Sequence, residues 1–576
     1  MFTDIIKKIS SKESPTKEYI IGLDVGGTHT DAVVIGKQGI INQAKVPTNQ
    51  SDLFNSVWSC LENVTKGISY DKIHRVVLST TLTTNAIVEN KLKPVGMIVI
   101  SGPGIDPEYF RPCTHYFTIT GSIDHRGREI VPINRNEVEI IASRLTTEGI
   151  RHVGVVGKFS TKNPSQEMQI REILKSRFDY VIMSHNLSGN LNFPRRIATT
   201  YLNAAIYPIH KQFFEAVRSS LQQKGIKIPI YILKADAGTM NFKSSLHIPG
   251  QTILSGPAAS VMGSLPYASD QHDTLVLDIG GTTTDMAVLV NKIPLLDMNG
   301  IELGGYKTLI RSLQTRSIGL GGDSAVRVIN GKLTIGPDRL GKAMAFGGEF
   351  PTPTDALFVL DEQHENGDKH AAIKGYEQIA NQLNTTPEIA ARQVFDTSCR
   401  MILDHVEKMI KEINSKPVYT VHEVLEGKQI ELKELLILGG PAPFFAKRLK
   451  DMSSYEVRTV PQWGVANAIG AALARTTCQV ILFADTEQGK VTAPEENYSF
   501  FIDRNYSIND ALKQADKLLK EKAIKRGAKI EDIETEILEK MQFNMVRGFY
   551  TTGRNIRVKV QVKPGLIKEF GTEFLL

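Results

Sequence analysis

Eight residues occur twice in this chain: Asp24-Val25-Gly26-Gly27-Thr28-His29-Thr30-Asp31 and Asp278-Ile279-Gly280-Gly281-Thr282-Thr283-Thr284-Asp285, identical at six of eight positions. Apolar runs flank both copies, Tyr19 to Leu23 and Ala32 to Ile35 around the first, Thr274 to Leu277 and Met286 to Leu289 around the second. The pattern predicts strand, diglycine turn, strand, used twice. Glycine permits the positive torsions of a tight hairpin and removes side chains that would keep a ligand from the amide N–H groups. Those amides, from Gly26, Gly27, Gly280 and Gly281, with the hydroxyls of Thr28, Thr30, Thr282 and Thr283, form a cradle for phosphate oxygens. The carboxylates of Asp24, Asp31, Asp278 and Asp285 can hold a hydrated divalent cation beside it. One diglycine hairpin is an ordinary turn, but nothing about a hairpin as such demands the same threonines and aspartates both times.

At 576 residues the chain exceeds what a single core serves, so three or four domains are expected. Its net charge of +6 is small for this length and is not gathered into a stripe, which gives nucleic-acid binding little support. Cys60, Cys113, Cys399 and Cys478 are far apart, unlike zinc or iron–sulfur ligands, and read as buried or free thiols in a reducing compartment. The first eighteen residues lack the apolar stretch of a secretory signal, and the small-apolar segment Val465 to Ala474 is too short to cross a bilayer. A cytoplasmic protein with no membrane partner is the expectation.

Short runs rich in Val, Ile and Leu at 75–78, 96–100, 153–156, 180–183, 229–233 and 435–438 recur between helical segments. Continuously apolar strands imply sheets covered on both faces, hence an α/β architecture in two lobes. The expected division is a polar tail over 1–17, a first lobe over 18–190, a second over 191–477, and a small α+β appendage over 478–576. A Gly- and Pro-rich segment, 331–354, reads as a loop or lid, and residues 506–543 place Lys and Glu at helical spacing ahead of a strand at 555–563.

Further motifs narrow the reading: Ser79 to Ala86 (Ser-Thr-Thr-Leu-Thr-Thr-Asn-Ala), Ser184-His185 followed by Arg196, Thr199-Thr200 and Asn203-Ala204, Asp236-Ala237-Gly238, Ser255-Gly256-Pro257-Ala258, Gly319 to Ser324, and Pro353-Thr354-Asp355-Ala356. In order and spacing the whole set, over roughly residues 18 to 475, resembles the hydantoinase and oxoprolinase family, specifically its A-type (ATP-binding) subunit. The twin hairpins resemble the wider superfamily of acetate and sugar kinases, heat-shock ATPases and actin, in which two ribonuclease-H-like lobes close on one ATP. One departure stands out: family members commonly carry acidic residues after the Ser-His pair and before the arginine, where this chain has Asn186, Asn190 and Phe193.

The resemblance implies ATP and Mg2+ as cofactors, with Asp24 and Asp278 on the metal and one of Asp24, Asp31, Asp278 and Asp285 acting as a base. It places adenosine at Gly439-Gly440 and near the small-residue helix that begins about Gly464. Gly321 and Gly322 read as a glycine-rich loop entering a helix, a secondary phosphate or lobe-contact candidate. On the substrate side Thr80, Thr81, Asn85, His185 and Arg196 are the polar candidates, with a helix cap and a satisfied structural histidine as the plainer alternatives. Phosphorylating the oxygen of a resonance-stabilised cyclic amide, hydantoin- or 5-oxoproline-like, makes its carbon a target for water. In the family a B-type subunit completes that chemistry, and the chain has no room for one, so a heteromeric partner is expected. The alternatives are an ATP-dependent ketone carboxylase subunit and an ATP-gated binding protein of the same fold.

Overall fold

A computed structural model of the chain describes residues 18–49, 52–223, 225–297, 299–360, 367–415 and 429–570. The polar tail expected over 1–17 lies outside the described residues.

The two repeats build the same sheet twice. In the first, strand Tyr19–Val25 pairs antiparallel with His29–Gly36, which pairs with Gly39–Pro47; on its other side it runs parallel to Ile73–Thr80. In the second, Asp273–Ile279 pairs antiparallel with Thr284–Val290 and parallel with Leu432–Leu438, which runs parallel to Glu456–Thr459. These strand orders are ribonuclease-H-like, and the molecule has the two-lobed actin-like ATPase fold. Ile20, Ile21 and Leu23 of the first strand and Leu275, Val276 and Leu277 of the equivalent strand are essentially unexposed, as strands covered on both faces require.

The first lobe is not continuous in sequence. Its parallel edge is completed by Ile230–Leu233, which pairs with Ile73–Thr80 after a long excursion. Most of that excursion forms a separate four-stranded parallel sheet, ordered Tyr180–Met183, His152–Gly157, Gly96–Ile100, Tyr116–Thr118. Helix Phe193–Gln223 covers this sheet and leads the chain back. A division at residue 190 therefore separates two parts of one lobe: the return strand is held by backbone pairing that sequence order conceals.

Helix Ser255–Ser264 and helix Ala466–Leu473 lie between the two main sheets and touch through small residues. A Cβ on Gly263 would stand 2.1 Å from Ala466 O, and one on Gly470 would stand 2.0 Å from Ala259 O. On its other side the second helix meets strand Tyr19–Val25, where a Cβ on Gly22 would lie 1.9 Å from Ala468 O. Thus the end of the second lobe's sequence packs on the first lobe's sheet.

Beyond residue 478 a five-stranded antiparallel sheet packs on helix Ile508–Lys525, the expected α+β appendage. Helical spacing misleads past that point, because Thr535–Arg547 is a strand paired with Tyr550–Val562 along most of its length. Segment 331–354 is largely irregular, with strand Lys332–Ile335 at its start. The four cysteines are unpaired, and among the described residues no helix is long and apolar enough to cross a membrane.

Candidate active site

The two hairpin turns close alike: Gly26 N–H donates to His29 O at 3.0 Å and Gly280 N–H to Thr283 O at 2.9 Å. None of Gly26, Gly27, Gly280 and Gly281 adopts a positive φ, contrary to the expectation for a tight diglycine turn. Close approach is the reason glycine is needed. A Cβ on Gly26 would meet His29 O at 3.0 Å, and one on Gly281 would meet Asp323 Oδ2 at 2.8 Å.

Strand register sets the aspartates in two facing pairs, Asp24 opposite Asp31 and Asp278 opposite Asp285. Like charges directly across a hairpin repel, and the two lobes handle this differently. Lys45 Nζ sits 3.0 Å from Asp31, a partner the second hairpin has no copy of at that position. Burial, with Asp278 opposite, pushes the Asp285 carboxyl up to about 7. Burial, with Asp31 opposite, pushes Asp24 to about 6.

One side chain joins the lobes here. The Asn467 amide, in the first turn of helix Ala466–Leu473, donates to Asp24 Oδ2 at 3.2 Å and to Asp278 Oδ2 at 3.0 Å. Those two oxygens are therefore no further apart than two hydrogen-bond lengths. The Ser260 hydroxyl adds a bond of 2.6 Å to Asp278 Oδ2. Asp24 Oδ1 and Asn467 Oδ1 remain buried acceptors with no donor. Neither Asn467 nor Ser260 is marked in the sequence, since each is a polar residue in a small-residue helix that meets the aspartates only through tertiary packing.

Gly439 and Gly440 follow Leu438, which pairs with Asp278, so the diglycine lies beside the second hairpin. Gly439 has φ +98 and its Cβ would fall 2.2 Å from Ile279 O, whereas Gly440 is exposed with open space around it. The small-residue helix that follows is enclosed between Gly22 and helix Ser255–Ser264, with Asn467 reaching the aspartates.

Several expected ligands are committed elsewhere. Gly321 and Gly322 do not enter a helix: the next element is strand Val326–Ile329, and their amides bond Ser324 Oγ and Gly280 O. They buttress the second hairpin, where a Cβ on Gly321 would meet Gly280 O at 2.6 Å. Thr30 is buried with its hydroxyl on Thr48, while Thr28, Thr282 and Thr283 stay at least partly exposed at the turns.

Thr80 is buried, its amide and carbonyl both bonded to Ser255 Oγ, and Thr81 donates its amide to Val25 O at the base of the first hairpin with Asn85 against it. Arg196 is 1% exposed and spends both terminal nitrogens on Ser160, Ser184, Gly157 O and Lys158 O, pinning two strand ends rather than facing a cleft. His185 is wholly buried with Nδ1 2.5 Å from Glu167 Oε2. Burial would raise the Glu167 carboxyl, but the His185 ring and the Arg196 guanidinium outweigh it and hold the group below its ordinary range. Glu167, in the first turn of helix Ser165–Leu174, carried no local signal of this contact.

Among the described residues no three His, Cys, Asp or Glu side chains cluster as a metal cage. A cation at Asp24 and Asp278 would thus need ligands from water and phosphate, the usual manner for magnesium. The orphaned acceptors Asp24 Oδ1 and Asn467 Oδ1 fit that requirement.

A hydantoinase/oxoprolinase N-terminal-region model matches residues 20–178 and a hydantoinase/oxoprolinase model matches 196–480. Caprolactamase subunit alpha of Pseudomonas jessenii is 22% identical over 382 residues, covering 60% of this chain and 54% of its own length. 5-Oxoprolinase 1 of Arabidopsis thaliana is 23% identical over 491 residues, 75% of this chain and 38% of its own. The chain spans less than two thirds of either relative. The structure of nucleotide-free acetone carboxylase shares the fold with a TM-score of 0.70 at 17% identity, over 96% of this chain and 89% of that one. Two consecutive family models and the common fold lead to one conclusion: the chain belongs to the hydantoinase/oxoprolinase family.

Proposed function

We propose that this chain is the ATP-using subunit of an enzyme that activates a cyclic amide by phosphorylating its carbonyl oxygen before ring opening. The observation that carries the reading is the Asn467 bridge, which sets the aspartates of both repeats around one point. Two amide cups facing one another can hold a triphosphate from both sides and stabilise charge on the moving phosphoryl. Asp24 and Asp278 are the residues that would hold magnesium, which when bound neutralises phosphate charge. As the carbonyl oxygen takes the phosphoryl and the bond to ADP breaks, the ring nitrogen of a lactam loses its proton. A carboxylate poised near neutrality suits that acceptor role, and Asp285, raised to about 7 and not assigned to the metal, is the residue proposed for it.

Relatives named as a caprolactamase and a 5-oxoprolinase support the cyclic-amide reading, and the acetone carboxylase of like fold supports a second, in which a ketone oxygen is phosphorylated. A B-type subunit is the proposed partner. The long hairpin Thr535–Val562, with Phe543, Val546, Phe549 and Tyr550 exposed near its tip, offers apolar surface for such a contact. The test is ATP turnover of the chain with its partner, in the presence of hydantoin, 5-oxoproline or caprolactam, of ketone plus bicarbonate, and of neither. Stimulation by a ring compound supports the first reading and bicarbonate-dependent stimulation the second; flat basal turnover would overturn both.

A further inference from the structure

The carboxyl ends of three adjacent parallel strands open on one edge of the first lobe. Register places Thr80 beside Val25 and continues from Ile232 beside Leu78, so Lys234 lies level with the first hairpin two strands away. At ~4.8 Å between neighbouring strands, that is on the order of 10 Å. Ligands of open α/β sheets bind outside such strand ends.

Three distant segments meet here, within the field of a fourth. Asp236 binds Lys234 Nζ at 3.0 Å, the Thr477 hydroxyl at 2.9 Å and the Gly238 amide at 3.1 Å. Arg311, on an arm of the second lobe, points its Nε at Asp236 Oδ2 from 3.5 Å. Its side chain is only 12% exposed, and Nε, Nη1 and Nη2 are all buried without a hydrogen-bond acceptor. Lys559, from the appendage, sits opposite Glu539 across the strand pair; burial first, and the Arg311 guanidinium second, lower its ammonium to about 8, against the opposing pull of Glu539 and Glu495. Asp236 is already saturated by Lys234, Thr477 and Gly238. Arg311 is therefore a buried cation with unspent donors, an arrangement that costs free energy unless an anion supplies acceptors.

We propose that Arg311, buttressed by the Lys234–Asp236–Thr477 set and with the Lys559 ammonium in its field, binds a small oxyanion: a carboxylate, bicarbonate or phosphate. A guanidinium with several free donors suits a planar or tetrahedral oxyanion received on two atoms. Because the site joins the first lobe, the second-lobe arm and the appendage, an anion there also links the parts that must move together. Resting on the proposed function, this gives the anionic group of a substrate its place, about two strands from the transferred phosphate.

The test uses full-length protein titrated by calorimetry with 5-oxoproline, bicarbonate and inorganic phosphate, alongside a non-hydrolysable ATP analogue. At least one of the three anions should bind, and Arg311→Met and Lys559→Gln should each weaken it tenfold or more, while affinity for the ATP analogue stays within twofold. Lys559→Gln, on an appendage strand, keeps the test meaningful if Arg311→Met fails to fold. Preference for 5-oxoproline, bicarbonate or phosphate distinguishes amide substrate, carboxylase substrate and released product. If none of the three binds, or binding survives in a folded variant, the site is refuted, and normal binding of the ATP analogue in the same experiment would leave the hairpin assignment standing.

Discussion

At the scale of the residue, the two repeats carry the same side chains into different surroundings. Asp31 has Lys45 and Asp285 has none, so one sequence motif yields two electrostatic environments. Asp285 titrates near 7 in the fold against ~3.9 in an unfolded chain, so its proton is bound more tightly by the folded state. Stability from this group is full at low pH and is lost as pH rises from about 4 towards 7. Asp285→Asn should therefore raise the melting temperature at pH 8 and leave it nearly unchanged at pH 4, as scanning calorimetry would record, while lowering ATP turnover by about 100-fold if Asp285 is the base. An unaltered melting temperature at pH 8 would show that the carboxylate is not strained. Asp24→Asn and Asp278→Asn should each cut turnover on the order of 100- to 1000-fold with the circular dichroism spectrum retained; normal turnover in either would remove that hairpin from the site.

Elements show what backbone packing demands. Gly22→Val would force a side chain against Ala468 O, and the helix that carries Asn467 has Gly470 against the neighbouring helix and cannot retreat. A loss of about 3 kcal/mol in chemical denaturation is expected, with ATP affinity falling as well because Asn467 is displaced. Gly439→Ala, at φ +98 and 2.2 Å from Ile279 O, should weaken nucleotide binding measured by titration more than it weakens the fold. The hairpins were legible because repetition of whole octapeptides has no cheap explanation. Asn467, Ser260 and Glu167 were not, since each acts through a contact more than fifteen residues away in the chain or across lobes. The strand Thr535–Arg547 was hidden for another reason: it is exposed on both faces, so its Lys and Glu spacing imitates a helix and no apolar alternation betrays the sheet. The lobe boundary, like Asn467, was hidden by long-range contact, because strand partners are chosen in space and Ile230–Leu233 pairs with a strand about 150 residues earlier.

For the whole molecule, the fold is two copies of one sheet held apart by two small-residue helices, with an inserted parallel domain on the first lobe and an α+β appendage after the second. Assembly belongs to this scale. If the hairpin tip meets a B-type subunit, Phe549→Asp with Tyr550→Asp should reduce co-purification of that subunit without altering nucleotide affinity; undiminished co-purification would place the contact elsewhere. The central claim is that the turns of Asp24–Asp31 and Asp278–Asp285 grip a single triphosphate. A crystal structure with a non-hydrolysable ATP analogue and magnesium tests it most directly. Phosphate oxygens should lie about 2.7–3.2 Å from backbone amides of both turns, with the adenosine beside Gly439 and Gly440; a triphosphate touching one turn only, with the other facing solvent, would contradict it.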